Sequence, residues 1–278
     1  MTDTPEKLDL SPYRLLIVSP LSDGNVTYGF HSSMNRMVEL LNAHGCKTLT
    51  ATTRYCADIS LARNKLFAIF YHMTRALGEP PTHMLSIDAD MAWPPEAAAY
   101  MLISGHDFIG AAGCRKQYPL EFCLQQIDDY GVPVTTALDM ARNILEVTAL
   151  GGAFTMLSRN FAEKMVEAYP GLAYDGENHT DEWGIYDPLI INKGLEYPRR
   201  RLSDDYALCH RWRRIGGTVQ CMLDVELQHT GQHTFTGNLY REMLAKDLEW
   251  RAMEERAKKE REHGGTQDNQ GGTQKNQE

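Results

Sequence analysis

Two aspartates one residue apart, Asp88 and Asp90, end a short apolar segment of the chain. Residues 84–87 are long enough for a buried strand and too short for a helix. Pro94 and Pro95 follow, and proline suits a first helical turn but cannot extend a strand ladder. The sequence therefore predicts a buried strand whose carboxyl end carries two acids, at the edge where an open α/β sheet binds its ligands.

The spacing of the two acids has two interpretations. In an extended chain residues 88 and 90 project to the same side, so both carboxylates can face one cation. A hard divalent ion takes such oxygen ligands and keeps other positions free for water and phosphate oxygens. Two acids at a strand end can equally solvate a turn or cap the next helix. The pair alone leaves both interpretations open.

The residues before this strand alternate between strand and helix patterns. Apolar residues at 13–18 and β-branched residues at 47–53 predict strands, and helical stripes occupy 30–44 and 59–77. Strands joined by helices form parallel sheets with right-handed crossovers. We therefore expect an α/β fold with a mostly parallel, Rossmann-like central sheet flanked by helices.

The second half of the chain contains shorter elements. Strand patterns occupy 106–113, 121–127, 132–136, 145–149, 150–157, 218–223 and 225–227, and helical patterns occupy 95–104, 159–169 and 203–217. The strands at 121–127, 132–136 and 145–149 would form a smaller antiparallel sheet. We expect a flexible start at 1–12, one domain at 13–238, a charged helix at 239–262 and a disordered tail at 263–278.

Several basic and small residues are candidates for binding an anionic ligand. Arg63 lies near the start of a predicted helix, where a cation opposes the helix dipole, so a nucleotide phosphate or an aspartate beside it would be favourable. Lys116, next to Arg115, can meet a diphosphate or remain a solvated base. Gly151 and Gly152 either turn a bulge or let a ligand lie against bare backbone.

The remaining candidates lie toward the C-terminal end of the predicted domain. Asp204 and Asp205 follow Ser203, the expected N-cap, and acids in a first helical turn also stabilise the helix. His229 is either a third metal ligand or a turn residue. A long polar loop at 173–201 contains three further candidates for ligand binding: Trp183, Tyr186 and Arg201. The two aromatic rings could stack on a sugar or a base, or pack within the loop.

Composition excludes some classes of protein. The net charge of −9 argues against a broad, non-specific grip on nucleic acid, although a local basic groove at 199–201 and 211–214 stays possible. The six cysteines form no C-x-x-C motif, and no N-terminal apolar segment suggests a signal peptide or anchor. We expect a cytoplasmic protein with free thiols and no membrane partner.

A set of segments occurs in a fixed order along residues 14–238. The set comprises the loop at Pro20, Ala62-Arg63-Asn64, Ile87-Asp88-Ala89-Asp90-Met91 with Pro94-Pro95, the strand leading to Arg115-Lys116, Gly151-Gly152-Ala153-Phe154, Ser203-Asp204-Asp205-Tyr206 running to Arg211, and Gln228-His229-Thr230-Gly231. This ordered set resembles the GT-A-fold glycosyltransferases, in particular the compact enzymes of phages and related viruses.

The resemblance implies a GT-A fold and a metal-dependent transfer from a nucleotide sugar, such as UDP-glucose, to an acceptor hydroxyl. It implies that Asp88 and Asp90 form the D-x-D motif and hold Mn²⁺ or Mg²⁺ together with His229. Asp205, with Asp204 where the family usually has glutamate, would be the general base of an inverting reaction. The donor would contact Pro20, Arg63, Asp88, Ala89, Asp90, Lys116, Gly151 and Gly152.

Alternatives to this activity come from three classes of protein. A sugar-nucleotide pyrophosphorylase needs a glycine-rich loop with a basic residue after the first strand, and residues 20–29 offer Gly24 without that pattern. A HAD-type phosphatase needs a hydroxyl side chain where Ala92 stands. A GT-A-like module without turnover would bind sugar only. The acceptor stays open between phage DNA containing 5-hydroxymethylcytosine and a glycan or protein.

Overall fold

The structure, a computed structural model, describes residues 8–74, 79–176, 180–192, 194 and 196–264. The chain divides into two compact units, Met1–Asn238 and Leu239–Glu278. Four predictions fall partly outside the described residues: the flexible start at 1–7, the end of the second helix at 75–77, the polar loop at positions 177–179, 193 and 195, and the tail from 265 onward. The second unit contains helix α6, Leu239–Gly264.

The first unit begins as the sequence predicts. Strand β1 (Arg14–Leu21), helix α1 (Tyr28–Ala43), strand β2 (Lys47–Arg54), helix α2 (Ile59–His72) and strand β3 (His83–Ile87) follow in turn. β1 lies between β2 and β3 and is parallel to both. Side chains cap both helices, because Thr27 accepts a hydrogen bond from the Phe30 amide and Asp58 accepts from two amides of α2.

Shorter elements complete the unit. They are β4 (Met91–Ala92), α3 (Ala97–Ile103), β5 (Phe108–Ala111), β6 (Leu124–Gln125), β7 (Leu138–Asp139), β8 (Ile144–Val147), β9 (Ala149–Leu150), β10 (Phe154–Ser158), α4 (Arg159–Ala168), β11 (Ala173–Asp175), β12 (Asp181–Trp183), β13 (Leu189–Ile191), β14 (Arg200–Leu202), α5 (Asp204–Arg214), β15 (Val219–Met222), β16 (Glu226–Thr230) and β17 (Thr234–Asn238).

The fold is mixed α/β, and its central sheet is less parallel than predicted. The strand order is β2-β1-β3-β10-β5-β15-β8-β7. Three of the seven neighbouring pairs are parallel and four are antiparallel. β10 is buried along its whole length and runs antiparallel between β3 and β5. A buried strand has the same apolar pattern in either direction, so the sequence could not reveal this reversal.

Two further predictions for the second half need correction. Residues 132–136 form no strand and contribute an isolated bridge between Ile127 and Pro133. β8 joins the central sheet beside β15 instead of a separate antiparallel sheet. The loop at 173–201 contains two small ribbons, β11–β12 and β13–β14. Each of these strands has three residues, which is too short to show the alternation that would identify a strand.

The strand predicted at 225–227 is longer and carries His229 within it. β16 pairs with β17 on one side and with β4 on the other, and His229 lies opposite Met91. This small sheet joins His229 to Met91, the residue directly after Asp90. The pairing therefore brings residues 90 and 229 together.

His83, the first residue of β3, gives the fold a pH dependence. Burial lowers the pKa of its imidazole from 6.5 to about 4. The unfolded chain therefore binds the extra proton first, so the stability is complete above about pH 6.5 and falls as the pH drops toward 4. We expect His83→Gln to remove up to about 3 kcal/mol of this loss. Urea unfolding of the wild type and His83→Gln between pH 4 and 6.5 tests this prediction, with substitution of the exposed His31 by Gln as control. If the free energy of unfolding changed with pH equally in wild type and His83→Gln, the prediction would be contradicted.

The sequence predicts free thiols and no membrane partner. All six cysteines are free thiols. Within the described residues, none of the helices combines the length and the apolar character needed to cross a lipid bilayer.

Candidate active site

The two aspartates lie in a turn between β3 and β4. The Asp88 amide donates to the Ala153 carbonyl at 3.0 Å, and the Met91 amide donates to the Asp88 carbonyl at 3.1 Å. The turn gives the two carboxylates different partners, because Asp88 accepts from Arg63 and Asp90 pairs with Lys116 and His229. The extended geometry that would aim both carboxylates at one point is not observed.

Asp90 and His229 form the pair that the sequence could only suggest. The His229 Nε2 atom lies 3.5 Å from Asp90 Oδ1. The Nδ1 atom lies 2.7 Å from the Cys114 carbonyl oxygen, a contact that fixes the ring and leaves Nε2 facing the carboxylate. Cys114 was missed by sequence reasoning, and no side-chain pattern could have identified it because its main chain makes the contact.

Asp90 and His229 each favour the charged form of the other. Burial acts to raise the pKa of Asp90, but hydrogen bonds from His229 and Lys116 outweigh it and lower that pKa to about 2. Burial acts to lower the pKa of His229, whereas the Asp90 carboxylate and the Cys114 carbonyl raise it above its usual value. Asp90 is therefore an anion throughout the physiological pH range.

Arg63 joins the two acidic motifs. Its side chain is 6% exposed, and its guanidinium donates to Asp88 at 2.8 Å and to Asp204. Burial acts to lower the pKa of Arg63, but the carboxylates of Asp88, Asp204 and Asp205 raise it. Within the described residues its Nε atom has no hydrogen-bond partner. The sequence allowed either a nucleotide phosphate or an aspartate as the partner of Arg63, and in the structure Arg63 is paired with two aspartates.

The glycine pair lets protein groups approach the backbone closely. A Cβ atom on Gly152 would lie 3.0 Å from the Arg63 Cζ atom, and one on Gly151 would lie 2.7 Å from the Cys123 Cβ atom. The Gly152 amide also donates to Asp205 Oδ2 at 3.1 Å. Gly152 therefore lies between the guanidinium of Arg63 and the carboxylate of Asp205.

We expect Gly152→Ala to disturb the arginine that it contacts. The new methyl group would push the Arg63 guanidinium away from its carboxylates, so the free energy of unfolding should fall by about 1–3 kcal/mol. Thermal unfolding tests this. Gly171→Ala is the matched control, because a Cβ there meets nothing within 4 Å. Equal effects of the two substitutions would contradict the close approach at Gly152.

The neighbouring acids Asp204 and Asp205 have different surroundings. Asp204 is 9% exposed and is held by Arg63. Asp205 accepts hydrogen bonds from the Gly152 and Tyr206 amides and from the Ser203 hydroxyl. Ser203 occupies the N-cap position of α5, but its side chain bonds Asp205 instead of capping the helix. Asp204 thus anchors Arg63, whereas Asp205 is the less buried acid of the two.

A cavity of about 410 Å³ opens beside the turn of the two aspartates. The loop after β1 and the start of α2 form one side, and the turn and His229 form the other. Its lining includes Pro20, Asn25, Cys56, Asp88, Ala89, Asp90 and His229. Lys116 reaches this edge through its contact with Asp90.

The aromatic acceptor-side candidates are buried instead of exposed. Trp183 is 5% exposed and Tyr186 is 2% exposed. The Trp183 ring lies 4.9 Å from that of Tyr71 and 5.5 Å from that of His72, centroid to centroid. Neither ring can stack on a ligand in this conformation, because the Trp183 ring packs on side chains of α2 and the Tyr186 side chain is buried. Polarity of the surrounding sequence had indicated an exposed loop.

The basic candidates divide into buried and exposed side chains. Arg211 is 7% exposed and donates to the carbonyls of Ile185 and Asp187 at 2.8 Å each, so it holds the loop and is not free for phosphate. Arg201 is exposed and lines a separate cavity of about 790 Å³ with Tyr197 and Arg199.

The side chains at the turn offer a divalent ion few ligands of their own. Within the described part of the chain, no group of three or more His, Cys, Asp and Glu side chains is arranged to hold a metal ion. Asp90 and His229 offer two ligands beside the cavity. Mg²⁺ and its analogues are commonly held by one or two carboxylates and completed by water and phosphate. The Asp90 carboxylate therefore fits such an ion, and the His229 imidazole can join it as a nitrogen ligand by releasing its Nε2 proton.

Comparison with known proteins gives little guidance. No protein-family model matches the chain, and no curated protein matches it. Matching solved structures include the crystal structure of A197 from STIV, which is 12% identical over 78% of this chain and 86% of that one, with a TM-score of 0.45. A likeness at this level assigns neither a family nor a function.

Proposed function

We propose that this chain is a metal-dependent glycosyltransferase of the GT-A fold, which moves a sugar from a nucleoside diphosphate sugar to an acceptor hydroxyl with inversion. One observation carries the proposal: Arg63 contacts both Asp88 and Asp204, so the D-x-D acids and the acids that begin α5 form one connected cluster. The βαβαβ start of the mixed sheet supports the fold assignment.

The cavity beside Asp90 suits the diphosphate of the donor. Asp90 and His229 would hold Mn²⁺ or Mg²⁺, and Asp88 would act through its pairing with Arg63. A bound divalent ion would supply positive charge to the departing nucleoside diphosphate. Pro20 and Ala89 line the same cavity and would contact the donor, of which UDP-glucose is one example.

Asp205 would take the proton of the acceptor hydroxyl as that oxygen attacks the anomeric carbon. Its carboxylate is held in place by three hydrogen-bond donors, and it lies next to Gly152 and thus to Arg63. Asp204 would keep Arg63 in position and is not itself the base in this proposal. A base on the acceptor side and a leaving-group site on the donor side are the two parts that inversion requires.

The test is mass spectrometry of a panel of nucleotide sugars incubated with the protein, with and without Mn²⁺. One acceptor arm is DNA containing 5-hydroxymethylcytosine, and the other is a set of simple saccharides and peptides. Sugar addition in either arm, dependent on Mn²⁺, is the expected result. Absence of transfer in both arms, together with absence of donor hydrolysis, would contradict the proposed activity.

The same samples test for a binding module, and one further sample, with a nucleoside triphosphate and a sugar phosphate, tests for a pyrophosphorylase. A sugar-binding module would bind donor without releasing nucleoside diphosphate. A pyrophosphorylase would release pyrophosphate from a nucleoside triphosphate and a sugar phosphate. Arg63 connects the carboxylates of Asp88 and Asp204, and Asp205 lies beside them. This arrangement favours transfer over the binding module, because mere binding requires no base.

A further inference from the structure

Lys116 is placed on Asp90 by an anchored loop. The loop between β5 and β6 is closed by hydrogen bonds from the Arg115 amide to the Glu121 carbonyl and from the Cys123 amide to the Gly113 carbonyl. The Tyr118 ring packs on Phe235 with centroids 5.1 Å apart, which fixes the loop to β17. The Lys116 ammonium lies 2.5 Å from Asp90 Oδ2.

The backbone of Gly231 leaves room for the lysine stem. A Cβ atom on Gly231 would lie 3.0 Å from Lys116 Cδ, so the aliphatic chain crosses the glycine closely. The two charged side chains are about one-third exposed, 37% for Lys116 and 33% for Asp90. The ammonium can therefore leave the carboxylate without unpacking the core.

The pairing conflicts with a divalent ion on the same carboxylate. Oδ2 of Asp90 faces Lys116, and Oδ1 faces His229. An ammonium within hydrogen-bond distance of a metal-ligand oxygen repels a dication. A nucleoside diphosphate adds negative oxygens beside the same turn, and these offer the ammonium a new partner.

We propose that Lys116 is an exchangeable counter-ion. It neutralises Asp90 before a divalent ion binds, and it moves to a phosphate oxygen of the nucleoside diphosphate when ion and donor bind together. Lys116 thus makes binding of the ion depend on the donor. This inference rests on the proposed function and adds a positioning residue to it.

The test separates the two affinities that Lys116 would affect in opposite directions. Calorimetry on the full chain measures binding of Mn²⁺ alone, and then of UDP, GDP, ADP and CDP at saturating Mn²⁺. For Lys116→Met we expect Mn²⁺ alone to bind about two- to fivefold tighter and the preferred nucleotide about two- to fivefold weaker, the range measured for partly exposed charge pairs. Lys116→Arg keeps the charge and should stay near the wild type in both.

Lys47→Met, an exposed lysine on β2, is the control and should change neither affinity. Unchanged affinities in Lys116→Met, or two affinities that move in the same direction, would overturn this inference while Mn²⁺-dependent nucleotide binding by the wild type still supported the proposed function. A wild type that binds none of the four nucleotides with Mn²⁺ would contradict the proposed function and the counter-ion role with it.

Discussion

Asp205→Asn is expected to abolish sugar transfer while donor binding stays intact. The amide cannot accept the proton of the acceptor hydroxyl, and loss of a general base typically lowers the rate by about 10²–10⁴-fold. In the proposed mechanism the donor is bound through Asp90 and His229, which this substitution does not change. The affinity for the donor should therefore stay at the wild-type value. Initial rates of product formation and the calorimetric affinity for UDP with Mn²⁺ together test it. Transfer at the wild-type rate would show that another group is the base.

The surroundings of Asp205 require a stability control for this variant. The carboxylate accepts from two amides and the Ser203 hydroxyl. An asparagine must turn its NH₂ group toward one of these donors, which should cost about 1–3 kcal/mol of folding free energy. Thermal unfolding measures this cost. Ser203→Ala removes one of the donors without touching the proposed base, so the double variant with Asp205→Asn separates lost catalysis from lost stability.

Asp204→Asn provides the contrast within the same helix turn. It leaves Arg63 with one anionic partner fewer in a buried position, and breaking such a pair typically costs about 3–5 kcal/mol. We therefore expect its main effect on unfolding, with weaker donor binding as a consequence of a displaced Arg63. A variant that kept full stability but lost transfer would reverse the roles assigned to the two acids.

Local sequence patterns predicted the strands and helices in the first half of the fold. They did not predict the direction or the neighbours of strands in the second half, which depend on how distant segments pair. The strands and helices from β1 to β3 follow from apolar periodicity and from caps such as Thr27 and Asp58. The direction of β10 and the partners of β8 depend on contacts between segments far apart in sequence. Such contacts leave no trace in the hydrophobic pattern of one strand.

The candidate site shows the same division. Two acids at a strand end, a glycine pair and an arginine at a helix start were visible as residue types with suitable chemistry. That Arg63 bridges Asp88 and Asp204 was not visible, because the contact with Asp204 spans 141 residues, against 25 for Asp88. That His229 meets Asp90 follows from the pairing of β16 with β4, which are also far apart in sequence. The predicted exposure of Trp183 and Tyr186 was wrong, because the polar residues that surround them in the sequence do not indicate that both side chains are buried.

Asp90→Ala is expected to eliminate metal-dependent donor binding. The substitution removes the carboxylate that pairs with His229 and Lys116, and with it one of two side chains proposed to hold the ion. Changes in the outer shell of a metal site already cost about 10–100-fold in affinity, so loss of a direct ligand should weaken Mn²⁺-dependent UDP binding by at least about 100-fold. Calorimetry with Mn²⁺ and with chelator measures this.

Glu167→Gln, an exposed acid on α4, is the control for lost negative charge and should bind donor as the wild type does. His229→Gln should weaken the Mn²⁺-dependent binding in the same direction as Asp90→Ala. Because both residues would hold one ion, the double variant should lose little more than either single one. Additive losses would mean that the two side chains act on separate ligands, and donor binding by Asp90→Ala that still responded to Mn²⁺ would place the ion elsewhere.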